Sequence, residues 1–151
     1  MDKCGLTKIA DLGTRLESLD GFKLENFKQI VEQIDTDEAT DSMGVMLYFG
    51  DTKVKAKDQI DKELVYKTEF LKHCILGLAT LQHGGNLVLK VYETYTAFTV
   101  GILFALYHLF KTVAIVKPYN SSFLSSRQYI VCKGLKERRP IHFIGYFIEM
   151  L

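Results

Sequence analysis

The feature that most constrains this chain is the alternation of helix-periodic segments with short apolar runs. From Leu64 to Ala79, mainly apolar side chains recur at helical spacing, and the short apolar run Asn86–Val91 follows. Thr96–Phe110 is a second strongly apolar helical segment, and strands are predicted at Val113–Val116 and Tyr129–Cys132. Strands and helices that alternate in this way predict an α/β fold with a largely parallel sheet.

Three further features refine this prediction. Val45–Phe49 is a compact apolar run between Gly44 and Gly50, which predicts a strand buried on both faces. His83-Gly84-Gly85 is typical of a glycine stop at the end of the first helix. The connection Lys117–Gln128 is too polar and too short for a crossover helix, so we expect the final strand to be antiparallel.

Composition excludes several classes of function. With 19 Lys+Arg and 18 Asp+Glu the net charge is +1, so overall charge gives no argument for nucleic-acid binding. The three cysteines form neither a disulfide framework nor a zinc pattern, so we expect a reduced, intracellular protein without a metal. Ala97–Phe110, the most apolar stretch, is shorter than the roughly 20 residues that cross a bilayer, and no membrane partner is expected.

Candidate site residues follow the predicted strands, because open α/β sheets bind ligands at the carboxyl ends of their strands. Asp51 and Lys90 stand at two such ends, where they can form a buried ion pair. A lysine held there can act as a base if burial or cationic neighbours lower its pKa. The alternative is that Lys90 only extends to solvent while Asp51 caps a turn. Gly84-Gly85 precedes a strand, which is the wrong order for a phosphate-binding loop.

An aromatic series allows two interpretations, base stacking or core packing, and core packing is preferred because most of the series belongs to an apolar helix. Its members are Tyr92, Tyr95, Phe98, Phe104 and Tyr107. At the end of the chain, Ile144, Phe147, Ile148 and Leu151 share helical spacing, which predicts a short amphipathic helix.

Four segments together are typical of one family: Gly84–Tyr92, Thr96–Gly101, Phe110–Pro118 and Gln128–Lys136. They resemble the FtsJ-type cap-specific mRNA (nucleoside-2′-O-)-methyltransferases, and the eukaryotic cap-1 branch in particular. Val45–Asp51 is similar to the family strand that carries a catalytic Asp. The resemblance covers roughly residues 10 to 137.

The resemblance implies a Rossmann-like S-adenosylmethionine-dependent methyltransferase that acts on the cap-adjacent 2′-hydroxyl of capped mRNA. It implies an incomplete sheet, without the family's first strand and Gly-rich cofactor loop. We expect one partial domain over residues 1–151, with a core at 45–136, a loosely docked segment at 9–34 and a tail at 137–151. A nuclear location is implied, with the cytoplasm as the alternative.

The family site is a Lys-Asp-Lys-Glu tetrad, and the resemblance transfers part of it. Asp51 corresponds to its Asp, Lys90 to its central Lys and Arg127 to its Glu, while the first Lys has no counterpart. Asp37 and Asp51 correspond to cofactor-binding positions. The RNA-binding positions implied are Lys117, Ser121 and Ser126.

Three functions remain open. In the first, the chain belongs to a cap methyltransferase and is inactive alone, because it needs an upstream region or a protein partner. In the second, it is a degenerate module that binds RNA or a protein without catalysis. In the third, it is a non-functional truncated product. The basic edge available to the second is Lys117, Arg127, Lys133, Lys136, Arg138 and Arg139. Whether the chain is an enzyme is therefore undecided at this level.

Hydrogen exchange tests the loosely docked segment. The absent strand would be central in the family sheet, so without it the segment lacks two ladders of backbone hydrogen bonds. We expect residues 10–16 to exchange faster than residues 86–91. Equal, strong protection of both segments would contradict the expectation.

Overall fold

The computed structural model describes residues 29, 31–32, 43–51, 62–92, 94–121 and 127–151. Seven elements lie along these residues, and the first five alternate between strand and helix as predicted, whereas the sixth is a strand that follows a strand. They are β1 (Val45–Gly50), α1 (Lys62–Thr80), β2 (Leu81–Val91), α2 (Ala97–Leu109), β3 (Phe110–Val116), β4 (Gln128–Leu135) and α3 (Ile141–Glu149).

The four strands form one mixed sheet in the order β1-β2-β4-β3. β1 and β2 are parallel, whereas β4 runs antiparallel to both of its neighbours, β2 and β3. The prediction that the final strand is antiparallel is therefore confirmed. Since β3 and β2 are both antiparallel to β4, the carboxyl ends of β1, β2 and β3 meet at one edge of the sheet.

The apolar faces of the helices build a single core on one side of the sheet. On α2 the buried positions follow helical spacing, with Ile102, Ala105, Leu106 and Leu109 facing inward. Thr96 caps this helix, because its hydroxyl oxygen accepts a hydrogen bond from the Thr99 amide at 3.3 Å. The largest fully buried side chains are Phe70, Phe110, Phe147, Leu71, Ile75, Leu76, Leu78, Leu81, Leu87, Leu89, Ile102 and Leu106.

The prediction that Val45–Phe49 is buried on both faces is wrong. Tyr48 is buried, but Met46, Leu47 and Phe49 are each more than half exposed. Tyr48 lies on the side of the sheet that α1 covers, and β1 is an outer strand among the described residues. Apolar side chains on the opposite face therefore remain exposed in that part of the chain.

The predicted glycine stop is also wrong. α1 ends at Thr80, whose hydroxyl donates to the Leu76 carbonyl at 2.8 Å, and β2 begins at the next residue. Gly84 instead has a φ of +78°, at an irregularity where the pairing of β1 with β2 shifts register. Gly84 thus lies in a β-bulge of β2, where a positive φ favours a residue without a side chain.

Core packing is wrong for part of the aromatic series. Tyr95 is 88% exposed, and Phe104 and Tyr107 point outward from α2, because the inward stripe of that helix is filled by aliphatic residues. Phe98 and Tyr92 do pack against the core. No helix in the described part of the chain is long and apolar enough to span a bilayer.

The tail forms the short amphipathic helix α3, which packs against α1. Phe147 is fully buried, whereas Ile141 is 77% exposed. Just before this helix, the Arg139 guanidinium donates to the Ala79 carbonyl at 3.1 Å and so satisfies the end of α1. Of the segment 9–34, only residues 29, 31 and 32 are described, so its docking stays a prediction.

Replacing Phe147 tests whether α3 belongs to the core. Phe147→Ala removes a fully buried ring, and we expect a loss of about 3–5 kcal/mol in the free energy of unfolding. Denaturant unfolding followed by circular dichroism measures this loss. Tyr146→Ala is the control, since Tyr146 is 56% exposed; equal losses for both variants would show that α3 is not specifically docked.

Candidate active site

The candidate site lies at the edge where β1 and β2 end. Gly50 pairs with Leu89 in the parallel register, so the next residues along the two strands, Asp51 and Lys90, are neighbours. The Lys90 Nζ lies 2.5 Å from Asp51 Oδ1. The structure thus brings these two candidate residues together as an ion pair, and Lys90 does not simply extend to solvent.

Burial of this pair is uneven. The Lys90 side chain is 5% exposed, while that of Asp51 is 36% exposed. Burial lowers the pKa of Lys90, but the hydrogen bond and the charge of Asp51 outweigh it, so the pKa is raised above 10.5. Lys90 is therefore an ammonium at neutral pH, and the condition stated for its action as a base, a lowered pKa, is not met by burial here.

Two tyrosines complete the surroundings of Lys90. The Tyr66 hydroxyl, from α1, donates to the Lys90 carbonyl, and the Lys90 Nζ lies 5.4 Å from the centroid of the Tyr92 ring. The Tyr66 and Tyr92 rings meet edge to face with centroids 5.0 Å apart. Neither tyrosine was predicted to contact Lys90. The available signal was the spacing of Tyr92, two residues beyond Lys90, which places both on one side of an extended chain.

A hydrogen bond between side chains of β1 and α1 supports the end of β1, just before Asp51. The Tyr48 hydroxyl and His73 Nδ1 are 2.7 Å apart, and burial lowers the pKa of His73, which keeps the imidazole neutral. A Cβ at Gly50 would lie 2.9 Å from His73 Nδ1. The backbone at Gly50 packs closely against His73 of α1, and this contact fixes the position of the next residue, Asp51.

The other predicted residues occupy the same edge where they are described. Arg127 immediately precedes Gln128, which pairs with Val91, and it is exposed. Lys117 follows the end of β3 and is also exposed. Ser121 lies in a turn, where its hydroxyl donates to the Pro118 carbonyl at 2.7 Å.

Two predicted residues, Asp37 and Ser126, lie outside the described residues. Among the described residues, no cluster of His, Cys, Asp and Glu is suited to hold a metal ion.

Comparison with known proteins shows the family of the chain. A family model described as FtsJ-like methyltransferase matches residues 15–135. The chain belongs to the FtsJ-like methyltransferase family. The resemblance inferred from the sequence motifs is therefore confirmed, and so is the α/β class of the fold.

Curated relatives of this FtsJ-like chain are named cap-specific mRNA (nucleoside-2′-O-)-methyltransferase 1. The protein from Dictyostelium discoideum is 33% identical over 109 residues, 71% of this chain and 14% of the relative. The Xenopus laevis protein is 35% identical over 65% of this chain and 12% of the relative. The Homo sapiens protein is 33% identical over 64% of this chain and 12% of the relative. The chain thus spans only 12–14% of the length of these relatives.

A solved structure shows the same fold. The crystal structure of a ribosomal RNA methyltransferase from Plasmodium falciparum matches with a TM-score of 0.53 at 20% identity. The match covers 76% of this FtsJ-like chain and 54% of the other.

Neutralising Asp51 tests the electrostatics of the pair. In Asp51→Asn burial acts without the counter-charge, so we expect the pKa of Lys90 to fall below that in the unaltered chain. The titration is followed through the lysine 15Nζ shifts by heteronuclear NMR. Glu69→Gln is the control, because it removes a carboxylate whose 2.6 Å ion pair is with Lys72 instead. An unchanged Lys90 titration in Asp51→Asn would contradict the assignment.

Proposed function

We propose that this chain carries the methyl-acceptor side of a ribose 2′-O-methyltransferase site that acts on capped mRNA. The observation that carries the proposal is the 2.5 Å pair of Lys90 and Asp51 at the carboxyl edge of the sheet. The names of the curated relatives support the same reaction and substrate. Because the chain spans only 12–14% of the length of those relatives, the reaction and the substrate are proposals for this chain.

The chemistry required is removal of one proton from a ribose hydroxyl. As the oxygen bonds to a methyl carbon, its proton must leave, and a neutral Lys90 amine within reach of the hydroxyl accepts it. As an ammonium, Lys90 instead donates a hydrogen bond to the hydroxyl oxygen and orients it. The raised pKa means that orientation dominates in the resting chain and that the base form is its minor state.

S-adenosylmethionine, when bound, would supply the methyl group: the bond from the methyl carbon to the cationic sulfur breaks as the bond to the ribose oxygen forms, and the sulfur keeps the electron pair and becomes neutral. The described residues fit a cationic ligand at Asp51, whose carboxylate is 36% exposed beyond its contact with Lys90. Asp51 would therefore hold the cationic part of the cofactor and keep Lys90 beside it. The adjoining ring of Phe49 is 56% exposed on the same strand and offers apolar contact.

RNA contacts are proposed for the exposed side chains along this edge. Lys117 and Arg127 carry positive charge to the end of β3 and the start of β4, where phosphate groups of a bound strand would lie. Lys136 Nζ donates to the His108 carbonyl at 2.9 Å, and the Arg139 guanidinium donates to the Ala79 carbonyl. Because Lys117 and Arg127 are exposed at the sheet edge that holds Lys90 and Asp51, the RNA surface is proposed to centre on them.

The proposal is tested by methyl transfer from labelled S-adenosylmethionine to capped RNA at a series of pH values. Since only neutral Lys90 accepts the proton and its pKa is raised, we expect the rate to rise roughly tenfold per pH unit from pH 7 to 9. Lys90→Met should lose at least about a hundredfold in rate. Lys111→Met is the control, since Lys111 is an exposed lysine toward the other end of β3.

Two outcomes would contradict the proposal. One is equal rates for Lys90→Met and Lys111→Met. The other is no methyl transfer together with salt-dependent binding of capped RNA, which would favour the degenerate RNA-binding module.

A further inference from the structure

Tyr92 stands in an unusual relation to Lys90. Its ring centroid is 5.4 Å from the Lys90 Nζ, and Tyr92 is one of the groups that raise the pKa of that amine. The ring is itself held in place, because the edge-to-face contact with Tyr66 fixes its orientation at an interplanar angle of 83°. Tyr66 in turn donates its hydroxyl to the Lys90 carbonyl. The two tyrosines and Lys90 thus form one closed set of contacts.

This set brings a further hydrogen-bond acceptor close to the Lys90 ammonium. An ammonium group has three donors, and Asp51 Oδ1 is the partner at 2.5 Å for one of them. Arg127, at the same edge, has a guanidinium that only donates and so cannot accept from another cation. The Tyr92 hydroxyl oxygen is an acceptor on a ring that lies beside the amine, and the contact with Tyr66 restrains that ring.

We propose that Tyr92 is a positioning residue for Lys90: its hydroxyl oxygen accepts a hydrogen bond from the ammonium and holds the amine beside Asp51. Tyr66 supports it by fixing both the Tyr92 ring and the backbone of Lys90. The effect of Tyr92 on catalysis rests on the proposed function. The position of Tyr92 beside Lys90 is independent of that function, because it follows from the ring contacts and from the Tyr66 hydrogen bond.

Tyr92→Phe tests the proposal, because it keeps the ring and its contact with Tyr66 while it removes the hydroxyl. A hydrogen bond accepted from the ammonium favours the charged form, so its loss lowers the pKa of Lys90. We expect a fall of about half a pH unit or more, since a hydrogen bond to a charged group is worth roughly 1 kcal/mol or more. The measurement is the 15Nζ titration of Lys90 by heteronuclear NMR. Tyr95→Phe is the matched control, since Tyr95 is 88% exposed and belongs to the same connection.

Methyl transfer by the same variants separates this proposal from the proposed function. If Tyr92→Phe lowers the pKa of Lys90 and also lowers the rate and shifts its pH profile relative to Tyr95→Phe, both stand. If the pKa falls but no variant transfers methyl groups, the positioning of Lys90 stands and the proposed function fails. If the Lys90 titration is the same in Tyr92→Phe and Tyr95→Phe, the positioning role is overturned whatever the activity.

Discussion

The ion pair of Lys90 and Asp51 is the constraint on which the functional edge of this protein depends. A lysine that is 4% exposed has lost most of its hydration, so its charge must be satisfied by protein groups or be given up. Asp51 satisfies it at 2.5 Å, and the pKa of Lys90 is raised as a result. The pair therefore contributes stability at pH values below 10.5, and this contribution is lost as the pH rises through the raised pKa of the folded state.

The sheet topology makes this pair possible. Parallel pairing of β1 with β2 brings two strand ends to the same edge, and the register that aligns Gly50 with Leu89 makes Asp51 and Lys90 neighbours. Because β4 runs antiparallel to β2, it begins at the edge where β1 and β2 end, and Arg127, which precedes β4, lies beside those strand ends. One sheet edge therefore gathers residues from four separate parts of the sequence, because three strands end there and the fourth begins there.

Much of this arrangement is predictable from the sequence, and the limits of prediction have physical causes. The helical stripe from Leu64 to Ala79 and the direction of the last strand follow from periodicity and loop length, and the structure agrees with both. The exposure of Leu47 and Phe49 was not predictable, because an apolar run does not reveal whether a strand lies at an edge. The role of Tyr66 was also hidden, since its contact with Lys90 joins residues 24 positions apart on different elements.

The raised pKa of Lys90 sets the condition under which such a lysine becomes a base. Its positive charge is maintained mainly by the Asp51 carboxylate, which is also the group proposed to hold a cationic ligand. A second cation at Asp51 shares the stabilisation that Lys90 otherwise receives alone, and a like charge nearby disfavours the ammonium. Binding of a cation at Asp51 and loss of the proton from Lys90 are therefore thermodynamically linked. In the proposed arrangement the uncharged Tyr92 hydroxyl also favours the ammonium, but less strongly than a carboxylate does, so it keeps the amine in place while opposing the loss of its charge less.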